Sequence, residues 1–139
     1  VFYRKQTYIK GAAMFKTNKA FSSFSADDLT RASDFYSKTL GFGVEKNEMG
    51  VLNLSVPGGP DVIIYPKEDH KPASFTVLNF TVGNIDEAVD ELNKRGVKFE
   101  HYDMENIKTD EKGIARDEGG PAIAWFKDPA GNILSIIEE

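Results

Sequence analysis

No cysteine occurs among the 139 residues of this chain. That excludes a disulfide framework, a thiolate metal site and a cysteine nucleophile at once. Histidine is nearly as scarce, with His70 and His101 the only two. Positive charge is also short: 17 Lys and Arg stand against 22 Asp and Glu, for a formal net charge of −5. With the lysines interspersed among acids, a nucleic-acid footprint is not expected. No apolar run approaches the roughly 20 residues needed to span a membrane, and Phe2-Tyr3-Arg4-Lys5 lacks the apolar centre of a signal peptide. The cytoplasm is therefore the default location. Neither a Ser/His/Asp constellation nor a phosphate loop is found, and Pro57-Gly58-Gly59-Pro60 is too short and proline-rich to cradle phosphate.

What is present suits one globular domain. The composition is 40% hydrophobic and 28% charged, enough for a core at this length. Met14 reads as a natural start, so Val1–Ala13 is set aside as upstream or appended sequence and residues 14–139 are taken as the domain. Ala20–Ser25 fits a strand. Asp27 or Asp28 then caps a helix whose face is Leu29, Ala32, Phe35, Tyr36 and Leu40. Gly41 ends it in the left-handed region. Val44–Lys46, Val51–Val56 and Val62–Tyr65 read as strands, and Pro66–Ala73 as a link.

The pattern then repeats. Phe75–Val82 is a strand, Asn84 and Glu87 form a capping pair, and Ile85, Ala88, Val89 and Leu92 line a helix closed by Gly96. Val97–Tyr102 reads as another strand. Ile123–Phe126 and Ile133–Ile137 flank Asp128-Pro129-Ala130-Gly131, a type I turn that makes a closing hairpin. A shift of 56 residues lays Phe24 on Phe80, Asp28 on Asn84 and Ala32 on Ala88. Neither half could bury its sheet face alone, so the halves must pack together. The expected class is α+β, two modules of about 18–66 and 74–139.

Two stretches carry a family resemblance: Asp28-Leu29 through Phe35-Tyr36 to Leu40-Gly41-Phe42, and Trp125-Phe126-Lys127-Asp128-Pro129-Ala130-Gly131-Asn132. They resemble the glyoxalase / bleomycin-resistance / extradiol-dioxygenase superfamily, the vicinal oxygen chelate proteins, across roughly Asn18–Glu139. The resemblance implies paired βαβββ modules whose mixed sheets curl around a cavity. It also implies a metal site, and the motif spacing puts its ligand positions at Phe21, Val77, Ser135 and, more loosely, Ile64. Phe, Val and Ile have no donor atom and a neutral Ser hydroxyl is a poor one. Neither a metal nor any other cofactor is expected, and the isolated His70 and His101 offer no paired spacing.

If the sheets curl, Phe21, Ile64 and Val77 make a mostly apolar pocket with Ser135 as a polar point, and one of Trp125 and Phe126 faces it. The same side chains could instead fill the space as core. Met104–Gly120 has little hydrophobic period and no counterpart in the first half; it reads either as a flap, with Arg116 and Lys112 meeting an anionic ligand, or as a solvated loop. His101 and Tyr102 are the candidate acid-base pair, to be set against an ordinary strand edge.

Three functional readings follow. One is a metal-free protein binding a small molecule in a dimer-associated cavity, on the pattern of bleomycin-resistance proteins. Another is a lyase, isomerase or transferase using a non-standard site, and the third is a ligand-free structural dimer. A homodimer is expected in each, because one pair of modules leaves open sheet edges.

Overall fold

The computed structural model describes residues 7–117 and 119–139. Strand β1 (Ser22–Ala26) leads to helix α1 (Leu29–Asp34), then strands β2 (Gly43–Lys46), β3 (Leu52–Ser55) and β4 (Val62–Pro66). The second module has β5 (Thr76–Val82), α2 (Ile85–Lys94), β6 (Ile114–Ala115), β7 (Ile123–Lys127) and β8 (Ile133–Glu138). The sheet orders are β1-β4-β3-β2 and β5-β8-β7-β6, with the first strand of each module parallel to its last. This is the two-module α+β arrangement expected from the repeat.

Both helices start where their caps dictate. The Asp28 carboxylate accepts from the Arg31 amide at 3.1 Å, and the Asn84 side chain accepts from the Glu87 amide at 3.1 Å. The first helix does not stay α-helical. Phe35–Thr39 widens into a π-helical turn, with the Leu40 amide donating to the Phe35 carbonyl at 2.9 Å. Across that turn the neighbouring side chains of Phe35 and Tyr36 both pack inward, Phe35 against Phe126 at 6.4 Å and Tyr36 fully buried.

Strand alternation sorts the sheets. Phe24, Ala26, Leu52, Leu54, Val62 and Ile64 from the first sheet, and Ala124, Phe126, Leu134 and Ile136 from the second, are buried with the helix stripes in one core. Opposite faces carry Ser23, Ser25, Asn53 and Ile63, and Asn79, Ser135 and Trp125.

The structure departs from the sequence reading beyond α2. Val97–Tyr102 forms no regular strand. Only Phe99 bridges to Phe126, and the Glu100 amide donates to the Trp125 carbonyl at 2.8 Å. The reason is competition for one edge: β6 pairs with the beginning of β7 through Ile114↔Ala124 and Ala115↔Ile123. In the loop that follows, Asp110–Ala115 is built onto the sheet edge. Ile114 is 1% exposed, and the Asp110 carboxylate accepts from the Lys112 and Ile114 amides at 2.9 Å each. Gly113 is a close-approach residue, at φ +85 with an added Cβ reaching the Glu100 carbonyl and Phe99 Cβ at 3.0 Å. That crowding is what excludes a side chain there.

Candidate functional site: the crevice between the first strands

The closing hairpin acts as a clasp between modules. Asp128 is buried, and its Oδ1 accepts from the Ala130 and Asn132 amides at 2.9 Å each. Its Oδ2 accepts from Tyr36 Oη at 2.7 Å and Asn132 Nδ2 at 3.1 Å, while Asn132 Nδ2 also reaches the Ser25 carbonyl at 2.9 Å. Burial pushes the Tyr36 phenol well above its ordinary value, the Asp128 charge and hydrogen bond adding to the effect. His70, read from sequence as a linker residue, completes this clasp. Its Nε2 donates to the Ala130 carbonyl, which can only accept, at 2.9 Å, and its Nδ1 shares a hydrogen bond of 2.6 Å with Ser25 Oγ.

The clasp leaves β1 and β5 as the inner edges of their sheets, unpaired with one another. Two crevices run along them. The larger, about 560 Å³, lies between β5 and the Val56–Pro60 turn, and the other, about 490 Å³, lies between Ser22–Ser25 and Phe75–Val77. Ser22 and Val77 line both. One wall of the larger is the stacked pair Phe42–Phe80, with ring centroids 5.1 Å apart. Asn79, Ser135 and Trp125 lie side by side across β5, β8 and β7, and Tyr102 sets its ring against Trp125 at 5.5 Å and 78°.

The sequence candidates divide accordingly. Val77 sits at a β-bulge in β5 and lines both crevices. Phe21 is 63% exposed just before β1. Trp125 is the member of its pair on the Ser135 face, and Phe126 is in the core. Ile64 is also in the core, fully buried, and its neighbour Ile63 takes the opposite face of β4. Ser135 is fully buried and donates to Asn79 Oδ1 at 2.5 Å. Arg116 turns away to α2, pairing with Asp86 at 2.7 Å and Asp110 at 3.6 Å, and Lys112 pairs with Asp90 at 3.1 Å. His101 is exposed, and no ion pair joins it to a carboxylate among the described residues. The sequence reading missed Asn79, Tyr65 and Phe75. The 56-residue shift pairs Ser23 with Asn79, two positions past the Phe21/Val77 pair on the same strand faces, and that signal could have found Asn79.

A family model, Glyoxalase/Bleomycin resistance protein/Dioxygenase superfamily, matches residues 21–136. The chain belongs to this superfamily. A member from Sphaerobacter thermophilus DSM 20745 is 28% identical in sequence; the match covers 88% of this chain and 98% of that one, with a TM-score of 0.66. TnmS3, an antibiotic binding protein from Streptomyces sp. CB03234, is 20% identical over 91% and 98% of the two chains, also at 0.66. A glyoxalase family protein from Bacillus anthracis is 20% identical over 92% and 99%, again at 0.66. A search of curated proteins returns no match.

The superfamily's metal positions can be tested against this donor set. Phe21 and Val77 have no ligating atom, and the hydroxyl of Ser135 is committed to Asn79. Among the described residues no three His, Cys, Asp or Glu converge. These residues do not fit a divalent ion, which needs several N or O ligands together. Among the described residues no helix is long and apolar enough to cross a membrane.

Proposed function

We propose that this superfamily member binds a small, partly apolar molecule in the crevices along β1 and β5, without a metal and as a homodimer. The observation that carries the reading is the larger crevice itself, about 560 Å³ and lined mainly by Val, Pro, Phe and Leu side chains. That size and character suit a small-molecule site. The likeness to an antibiotic binding protein supports the same direction. Dimerisation is supported by the free inner edges and by the exposed aromatics Phe21 and Phe75 beside them, since exposed strand edges are normally covered. The residues lining both crevices include no carboxylate and no imidazole, which favours binding over the lyase or isomerase alternative.

The test is a thermal-shift screen of neutral polycyclic antibiotics against the chain and its Val77→Asp variant, with light scattering and elemental analysis on the same preparation. A ligand-dependent rise in melting temperature that Val77→Asp abolishes is the expected result. No shift with any compound, or a stoichiometric divalent ion in the purified protein, would remove the reading. A mass near 15.4 kDa at tens of micromolar would remove the dimer.

A further inference from the structure

We infer that the ligand of the larger crevice is uncharged and presents a carbonyl-type oxygen, which Asn79 Nδ2 takes as the specificity-determining donor. The inference rests on the binding reading above and narrows it to a chemical class. No Asp, Glu, Lys, Arg or His lines this crevice. An ion placed there would lose hydration without gaining a counter-charge, at a cost that a neutral molecule avoids.

The polar side chains in the lining are Ser22, Asn79 and Thr81. Only the amide has its orientation set from behind. Ser135 is fully buried, and the one partner of its Oγ among the described residues is Asn79 Oδ1, at 2.5 Å. A buried hydroxyl hydrogen left without an acceptor is costly. If the amide were reversed, Nδ2 would face the hydroxyl and the Ser135 hydrogen would have nowhere to go. Ser135 therefore holds Oδ1 toward itself and leaves Nδ2, a donor with two hydrogens, without a partner among the described residues on an exposed side chain in the crevice wall. The strand register sets the two side chains together, because Asn79 and Ser135 are direct neighbours across β5 and β8.

A site with an apolar wall and one pre-aimed donor selects for an acceptor. Val77 and the Val56–Pro60 turn offer apolar surface to a hydrocarbon body, and Asn79 Nδ2 suits a ketone, quinone, lactone or amide oxygen on its rim. A carboxylate would also accept the hydrogen bond but brings an unpaired charge into the same wall.

Three probes of one shape separate these cases: indane, 1-indanone and indane-1-carboxylate, titrated into the 139-residue chain by protein-observed NMR. The expected order is 1-indanone tightest, by about fivefold or more over each of the others, with shifts at Val77, Asn79 and Phe80. In Asn79→Asp the carboxylate still accepts from Ser135, so the fold is kept, but the free donor becomes an acceptor. The preference for 1-indanone over indane should vanish there. Equal binding of the three probes, tighter binding of the carboxylate, or a preference that survives Asn79→Asp would overturn the inference while leaving the binding reading intact. If no probe moves crevice resonances at millimolar concentration, the binding reading and this inference fall together.

Discussion

Replacing Tyr36 by Phe isolates the clasp, because it deletes one oxygen and leaves the ring packed against Phe24 and Phe35. The lost bond is the 2.7 Å contact to Asp128, a buried carboxylate. Hydrogen bonds to charged groups contribute about 1.5–3 kcal/mol. Asp128 retains three others, so the expected loss near pH 8 is about 2 kcal/mol. The pH dependence is the sharper readout. Burial holds the folded Tyr36 phenol well above its ordinary value of 10.0, whereas the unfolded chain releases that proton near pH 10. Above pH 10 the native state therefore binds the extra proton. This stabilisation is complete below pH 10 and is lost as pH rises, at about 1.4 kcal/mol per unit. Tyr36→Phe lacks that term, and the remaining titrations are common to both proteins. The two stability curves should therefore converge as pH rises above 10. Urea unfolding followed by circular dichroism from pH 8 to 11.5 measures this, with an unchanged m-value as the check on two-state behaviour. A loss below about 0.5 kcal/mol at pH 8, or curves that stay parallel through pH 11, would refute the account of a buried, carboxylate-bonded phenol.

Three further outcomes test other parts of the structure. Gly113→Ala should cost about 2–3 kcal/mol, because it adds a close backbone contact to positive-φ strain, whereas Gly58→Ala at φ +79 in open space carries the strain alone; equal losses in urea unfolding would sink the close-approach argument. Ile64→Ala, at 0% exposure, should cost about 2–5 kcal/mol by leaving a cavity, and a cost below about 1 kcal/mol would return Ile64 to the crevice face. Asp86 has its carboxyl held below its ordinary 3.8, first by the Arg116 hydrogen bond, so its contribution is present above that value and fades as pH falls through the lower folded one. Acid titration should show Asp86→Asn losing less stability than the parent between pH 4 and 2, and an identical decline in both would show that the pair contributes nothing.

Much of the fold was legible because local chemistry and global architecture agree in it. Asp28, Asn84, Gly41 and Gly96 mark helix ends by capping and positive φ alone, which require no tertiary partner. The Asp128–Gly131 turn likewise closes on its own bond, the Gly131 amide donating to the Asp128 carbonyl at 3.0 Å. The period-two pattern of β3 and the 56-residue repeat were enough for two βαβββ modules. The absence of ligating side chains at Phe21 and Val77 was equally a matter of sequence.

Tertiary structure decided what depends on partners distant in the chain. Whether Val97–Tyr102 or Ile114–Ala115 takes the edge of β7 is a competition between two segments, which neither pattern settles by itself. Arg116 could be read as an anion ligand until Asp86, 30 positions away, was seen to hold it. Ile64 and Ile63 are equivalent in composition, and a single step of strand register sends one to the core and the other to the opposite face. His70 acquires its place only when the clasp brings Ser25 and Ala130 to either side of its ring. Asn79 is similar: its amide becomes a directed donor because a serine 56 residues later is buried against it and must dispose of a proton.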